Sequence, residues 1–89
     1  MSIFNISYDL IAPDRNYEDL IAEIKKLGSW ARPVKSTWLV ETEVSLSDVR
    51  SRLVAIMDSD DKLIITICSK GSTWNSLPQD VVKWIKQRL

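Results

Sequence analysis

Histidine is absent from this chain of 89 residues, and cysteine occurs once. The absence of histidine excludes Ser-His-Asp and Cys-His catalysis, histidine-ligated zinc and imidazole general-base chemistry, so any catalysis must rest on carboxylates. Cys68 lies in an apolar run and has no partner for an intrachain disulfide. We therefore expect a core cysteine and a reducing compartment.

An excess of either charge is also missing, because twelve basic and twelve acidic residues cancel. The chain as a whole lacks the positive field that draws most nucleic-acid-binding proteins to phosphate, although a local basic patch is compatible with this balance. No apolar run approaches the roughly 20 residues that span a bilayer, and Met1–Leu10 has no basic, apolar and small-residue leader. We expect a soluble, cytoplasmic protein with no membrane contact.

The length and composition fit one globular domain over residues 1–89. The apolar fraction of 45% and the charged fraction of 27% are ordinary for such a domain. Four tryptophans are many for this length. Because tryptophan buries a large surface, they suit either a compact core or a protomer that completes itself by dimerising.

Four stretches have the residue pattern of β-strands. Ile3–Leu10 and Ser36–Glu43 alternate, which is the period of a strand with one buried face. Ser29–Val34 contains a proline that cannot donate to a central ladder, which predicts a short, irregular or edge strand. Leu63–Cys68 is nearly continuous in apolar and β-branched residues, so we expect it in the middle of the sheet.

Three amphipathic helices are predicted between and after these strands. The first begins near Asn16 and ends at Gly28, which we expect to cap it in the left-handed conformation. The second begins at Ser45, which forms a capping pair with Asp48, and the third begins at Pro78. This order predicts an α+β fold, a ferredoxin-like βαββαβ sandwich with an additional C-terminal helix.

The face of the sheet that the first two helices leave open needs a cover. Alternation along the first strand places Asn5, Ser7 and Asp9 on that face. A second protomer related by a two-fold axis would cover it, and the C-terminal helix would do so as well. We prefer the second protomer, and the sequence leaves both alternatives open.

Two acidic features are candidates for metal binding. Asp9 closes the first strand, and in a symmetric dimer two such carboxylates would suit Mg²⁺, which needs one or two carboxylates with water and phosphate oxygens. The alternative is a turn-forming aspartate. The run Asp58–Asp61 lacks the glycine and the distant glutamate of an EF-hand calcium loop, so we interpret it as a solvated turn.

Basic residues occur in two connections that would adjoin in this fold. Arg15 follows the first strand, and Arg32 and Lys35 lie between the second and third strands. With Trp30 they would present cations and an aromatic ring to nucleic acid. The alternative, which we favour, is that these surface cations only keep the protein soluble.

Ile6–Leu10, Leu27–Gly28 and Lys35–Val40 form a pattern that resembles the small CRISPR-associated protein two, here called Cas-two. That family has a strand ending in Tyr-Asp, a helix ending in glycine and a Ser-Val-Phe-like third strand. VapD-like toxins share its fold. The chain is also similar to short bacterial and phage proteins labelled SinR family, although no helix-turn-helix pattern is visible.

The resemblance implies a ferredoxin-like homodimer whose paired strand-end aspartates hold a divalent metal for phosphodiester cleavage in some members. In other members the dimer is a scaffold. By matching position, Asp9 takes the place of the catalytic, metal-binding aspartate, Tyr8 that of its neighbour, and Ser36 that of the serine opening the third strand. The chain departs from the family because its basic pair is reduced to Arg15 and a helix replaces the exchanged C-terminal strand.

Two functional hypotheses follow. The first is a Cas-two-like homodimer, associated with nucleic acid, in which Asp9 and its mate bind Mg²⁺ or Mn²⁺ and activate water to cleave RNA or DNA; Arg15, Arg32, Lys35 and Ser36 are its candidate nucleic-acid-binding residues. The second is a non-catalytic protein-interaction or scaffold module in which Asp9 is structural. The first is the leading hypothesis and the second is the alternative, which neutral charge and the missing basic pair favour.

Overall fold

A computed structural model describes residues 1–11 and 17–89, and the predicted helix start at Asn16 lies outside them. The described residues form a small α+β arrangement of one four-stranded antiparallel sheet and three helices. In chain order the elements are β1 (Ser2–Asp9), α1 (Glu18–Lys26), β2 (Ser29–Val34), β3 (Thr37–Thr42), α2 (Leu46–Val54), β4 (Lys62–Ile67) and α3 (Gln79–Arg88).

The strands lie in the order β2-β3-β1-β4, and each neighbouring pair is antiparallel. In the centre of the sheet, Ile6 of β1 lies opposite Trp38 of β3 and Ile65 of β4. β2 is at an edge, and its register shifts between Ala31 and Val34. The irregular edge strand predicted from Pro33 is therefore confirmed, and the whole arrangement is compatible with the predicted sandwich.

The predicted central position of Leu63–Cys68 is wrong, because β4 is the other edge strand. A continuous apolar run indicates surface to be buried, but it does not say whether the same chain buries it. In this sheet Ile64 remains 61% exposed and Ile67 64% exposed. The apolar side chains of β4 thus lie at the rim of the sheet.

The first face of the sheet carries the main core under α1 and α2. Side chains of β1 and β3 that alternate inward are buried there, which confirms the predicted inward face of β1. The single buried face predicted for the third strand is wrong, because Leu39 on the opposite face of β3 is buried as well. The Trp38 Nε1 donates a hydrogen bond to the Tyr8 hydroxyl at 3.0 Å. The buried members of this core are Phe4, Ile6, Leu20, Ile24, Leu27, Trp38, Val40, Val49 and Leu53.

The second face is partly covered by α3. Val81 and Ile85 of this helix are buried in a smaller core with Ala31 of β2 and Leu39 of β3. α3 therefore covers the β2–β3 half of the second face and leaves the β1–β4 half without a helix in the described part of the chain. Of the two elements expected to cover the open face, the C-terminal helix is therefore the one that covers its β2–β3 half.

Polar contacts fix the end of α3 on the sheet. The Trp84 Nε1 donates to the Ser29 Oγ at 2.9 Å, and the Arg88 Nη2 donates to the same oxygen at 3.1 Å. The Arg88 Nε lies 3.4 Å from the Glu41 Oε1, an ion-pair contact without hydrogen-bond geometry. The guanidinium carbon also lies 4.3 Å from the centroid of the Trp84 ring.

The ends of the first two helices show one prediction confirmed and one wrong. The Asp48 N–H donates to the Ser45 Oγ at 3.2 Å, which is the predicted cap of α2. Gly28, however, does not have a positive φ, and the C-cap residue of α1 is Leu27. Gly28 is instead pressed against β3, where a Cβ atom would overlap the Glu41 carbonyl oxygen.

Candidate functional sites

Asp9 lies exposed at the end of β1, directly opposite Lys62 of β4. On the same face the Ser7 hydroxyl donates to the Asn5 Oδ1 at 2.8 Å and lies 3.0 Å from the Thr37 hydroxyl. A shallow depression of about 300 Å³ includes Ser7, Asp9 and Lys62 in its wall. The Asp9 carboxylate therefore faces water, with a cation as its cross-strand neighbour.

Metal binding at Asp9 would need groups from outside the described chain. No cluster of three or more histidine, cysteine, aspartate or glutamate residues is placed to hold a metal among residues 1–11 and 17–89. Asp9 supplies one exposed carboxylate, and Lys62 opposite it competes for that charge. Mg²⁺ or Mn²⁺ at this position would need further oxygen ligands, such as a second Asp9 or the phosphate oxygens of a bound nucleic acid.

Three of the four predicted nucleic-acid-binding residues lie together near the turn between β2 and β3, Arg32 within β2 and Lys35 and Ser36 in the connection. Arg32, Lys35 and Ser36 are all exposed there, whereas Arg15 lies outside the described residues. The connection meets the end of β1, because the Tyr8 N–H donates to the Ser36 carbonyl oxygen at 3.1 Å. Lys35 and Ser36 therefore lie at the same end of the sheet as Asp9.

Arg32 is engaged in holding this connection. Its Nε donates to the Lys35 carbonyl oxygen at 2.9 Å, and its guanidinium carbon lies 4.7 Å from the centroid of the Trp38 ring. Trp30 packs edge-on against Trp38 with ring centroids 5.1 Å apart, and the Lys25 Nζ lies 4.9 Å from the Trp30 centroid. These contacts use the cations and rings within the fold, which supports a structural role for Arg32.

The acidic run between α2 and β4 is more than a solvated turn. The Asp61 Oδ1 accepts hydrogen bonds from the Ile11 N–H at 3.0 Å and from the Tyr17 hydroxyl at 3.3 Å. The Asp61 Oδ2 accepts one from the Asp58 N–H at 3.0 Å. Asp61 thus ties both ends of the β1–α1 connection to the turn before β4, a role that the sequence analysis missed.

A groove of about 700 Å³ lies between α2 and the edge strand β4. Leu46 and Val54 of α2, which are 40% and 42% exposed, line one wall, and Leu63 and Ile65 of β4 line the other. Arg50 lies in the same helical wall. The order of the strands thus brings Arg50 beside an open strand edge.

Compared with protein families and with solved structures, the chain matches none of them. Among the described residues, no helix combines the length and the apolar character needed to cross a bilayer.

Cys68 is partly buried beside the α3 core. Burial raises the pKa of its thiol, and a backbone hydrogen bond from Asn5 opposes the shift only in part. The thiolate is the nucleophilic form of cysteine, so a raised pKa lowers the thiolate fraction of Cys68 at neutral pH. Cys68 was expected in the core, but it lies partly buried at the margin of the smaller core.

Proposed function

We propose that this chain is a non-catalytic protein-interaction module with a ferredoxin-like fold. The strand order β2-β3-β1-β4 supports the fold assignment, because two split βαβ units that interleave give this order. The observation that carries the function is the exposed apolar edge at β4. Ile64 and Ile67 are both more than half exposed on this strand.

An edge of this kind favours association with another polypeptide. Edge strands present unpaired backbone groups, and proteins usually protect them with charges, prolines, bulges or a covering element. β4 has one charged residue, Lys62, at its start, and its remaining residues are apolar or threonine. Fully burying an isoleucine contributes roughly 1.5–3 kcal/mol, so a partner that covers this strand gains a substantial part of that for each exposed side chain.

The surroundings of Asp9 support the non-catalytic assignment. A single exposed carboxylate opposite a lysine is a weak metal ligand, because the neighbouring cation opposes the charge of the metal ion. The Arg32 guanidinium is engaged by the Lys35 carbonyl oxygen and by the Trp38 ring, so it is not a free phosphate ligand beside Asp9. In this proposal Asp9 is a solvent-exposed residue at the end of β1 without a catalytic role.

A cleavage assay tests this proposal directly. Single-stranded and double-stranded RNA and DNA are incubated with the wild type, with Asp9→Ala and with Asp60→Ala, each in Mg²⁺ and in Mn²⁺. We expect no cleavage above the protein-free reaction in any of them. Cleavage by the wild type and by Asp60→Ala that is lost in Asp9→Ala would refute the non-catalytic assignment, since Asp60 is an exposed carboxylate in the turn before β4.

The second candidate is the Cas-two-like homodimeric nuclease, which the uncovered β1–β4 half of the second face favours. A second protomer on this half would bring two Asp9 carboxylates toward each other, and Lys35 and Ser36 lie at the same end of the sheet. A Mg²⁺ or Mn²⁺ ion held there would activate water for attack on a phosphodiester. Light scattering over a range of concentrations tests it, because a strict monomer has no paired carboxylates.

A further inference from the structure

The backbone of β4 presents a regular set of hydrogen-bonding groups at the sheet edge. The Cys68 N–H donates to the Ile3 carbonyl oxygen at 2.8 Å, so this antiparallel pair is a hydrogen-bonded one. Hydrogen-bonded pairs alternate along an antiparallel ladder, so every second residue before Cys68 also faces β1. The backbone N–H and C=O groups of Leu63, Ile65 and Ile67 consequently point away from the sheet.

The same three residues direct their side chains toward the α2 side of the sheet. Ile65 lies opposite Ile6 and Ile67 opposite Phe4, and both partners belong to the core under the helices. A strand added to β4 would lie about 4.8 Å from it, so its alternate side chains would enter the groove between β4 and α2. The groove volume of about 700 Å³ is sufficient for several side chains.

The helical wall of the groove has an apolar-cationic-apolar pattern. Leu46, Arg50 and Val54 follow one another at intervals of four residues, so they lie on one side of α2. Arg50 is exposed and forms no ion pair with another described residue. The groove also includes Asp58 and Asp61 of the turn after α2, and both carboxylate oxygens of Asp61 accept hydrogen bonds within the chain. On the helical wall itself, a carboxylate between two apolar side chains would complement Arg50.

We propose that β4 and this groove bind an extended segment of another protein by strand addition. The groove-facing side chains of the segment are apolar, acidic and apolar in turn, with the carboxylate against Arg50. The inference rests on the proposed interaction function and names the surface and the chemistry of the partner. Backbone hydrogen bonds to Leu63, Ile65 and Ile67 supply the register, and the groove supplies specificity.

A second copy of the chain fits this edge less well. Two β4 strands can pair edge to edge through the outward-facing groups of Leu63, Ile65 and Ile67. All three residues take part only if a two-fold axis passes through Ile65. Such an axis sets Ile65 against its own copy. The groove-facing side chains of the second β4 would then be Leu63, Ile65 and Ile67, so a second copy would place no carboxylate against Arg50.

The test uses a short capped peptide, Thr-Val-Thr-Glu-Thr-Val-Thr, and a control peptide with lysine in place of glutamate. Each is titrated into the isotope-labelled wild-type protein and followed by amide chemical shifts. We expect the glutamate peptide to perturb the amides of Leu63, Ile65 and Ile67 and to bind about tenfold more tightly than the lysine peptide.

Two matched pairs of variants locate the site. Arg50→Glu reverses the preference between the peptides, whereas Arg52→Glu, on the same helix but outside the groove, leaves it unchanged. Ile67→Pro removes an outward-facing N–H and weakens binding about tenfold, whereas Ile67→Thr retains the N–H and weakens it much less. Far-UV circular dichroism confirms that each variant is folded.

Several outcomes would overturn the inference. One is a set of amide chemical-shift changes confined to another face of the protein, and another is the absence of saturable binding. Equal affinity for both peptides would also overturn it, as would an equal change of peptide preference in Arg52→Glu and Arg50→Glu. Protection of the β4 amides that grows with protein concentration would assign the edge to a second copy. If the peptide does not bind and no Asp9-dependent cleavage occurs, only the proposed binding surface at β4 is refuted. If Asp9-dependent cleavage occurs, the proposed non-catalytic function itself is refuted.

Discussion

Replacing Gly28 by alanine should destabilise the fold, although Gly28 has an ordinary backbone conformation. The added Cβ would overlap the carbonyl oxygen of Glu41. Glu41 is paired with Ile3 on one side and with Ser29 on the other, so its carbonyl group cannot move without disturbing both pairings. The whole β2–β3–β1 ladder therefore opposes the substitution.

The expected size of this effect follows from two opposing contributions. Overpacking in a well-packed site costs about 1–3 kcal/mol, and the reduced entropy of the unfolded chain returns about 0.4–1 kcal/mol. We expect a net loss of about 1–2 kcal/mol in the free energy of unfolding. For a domain of this size each kcal/mol lowers Tm by about 4–8 °C.

Urea denaturation followed by circular dichroism measures this loss as a lower midpoint with an unchanged slope. Gly71→Ala is the matched control. Apart from its two chain neighbours, no described residue has an atom within 4 Å of the added Cβ there, and the cost comes from the positive φ of 113°. If Gly28→Ala proved neutral or stabilising, the close contact between the end of α1 and β3 would be wrong.

Two further predictions concern α3 and the cysteine. Trp84→Phe keeps a ring beside Arg88 but loses the hydrogen bond to Ser29, so we expect a loss of about 1 kcal/mol in urea denaturation, and no loss would contradict the docking of α3. Burial raises the Cys68 pKa above 9.0, so the stability linked to the neutral thiol is fully present below about pH 9 and is lost as the pH rises through the folded-state pKa. The wild type should therefore lose stability more steeply above pH 9 than Cys68→Ala, and parallel pH profiles would contradict this burial.

Interactions within a few residues of one another could be read from the sequence. The alternation of Ile3–Leu10 predicted which side chains of β1 enter the core, and Phe4 and Ile6 are buried there. The Ser45–Asp48 cap spans three residues and was predicted correctly. The candidate site at Asp9 was placed at the end of β1, where it lies exposed. Each of these features depends on the period of a strand or a helix, which the residue pattern specifies locally.

Distances between elements decided the rest. Gly28 was predicted as a left-handed cap, but its lack of a side chain serves a close approach to β3, which no local pattern reveals. Asp61 joins Ile11 across 50 positions of sequence, and Trp84 joins Ser29 across 55. Contacts of this kind exist only once the order of the strands is fixed.

The sequence by itself determined the order of strands and helices, the inward face of β1, and the apolar character of β4. Only the tertiary structure decided that β4 is an edge strand, that α3 covers half of the second face, and that Arg50 lies in a groove beside β4. The physical reason is that an apolar run records a need for burial, whereas the element that satisfies it depends on which strands become neighbours.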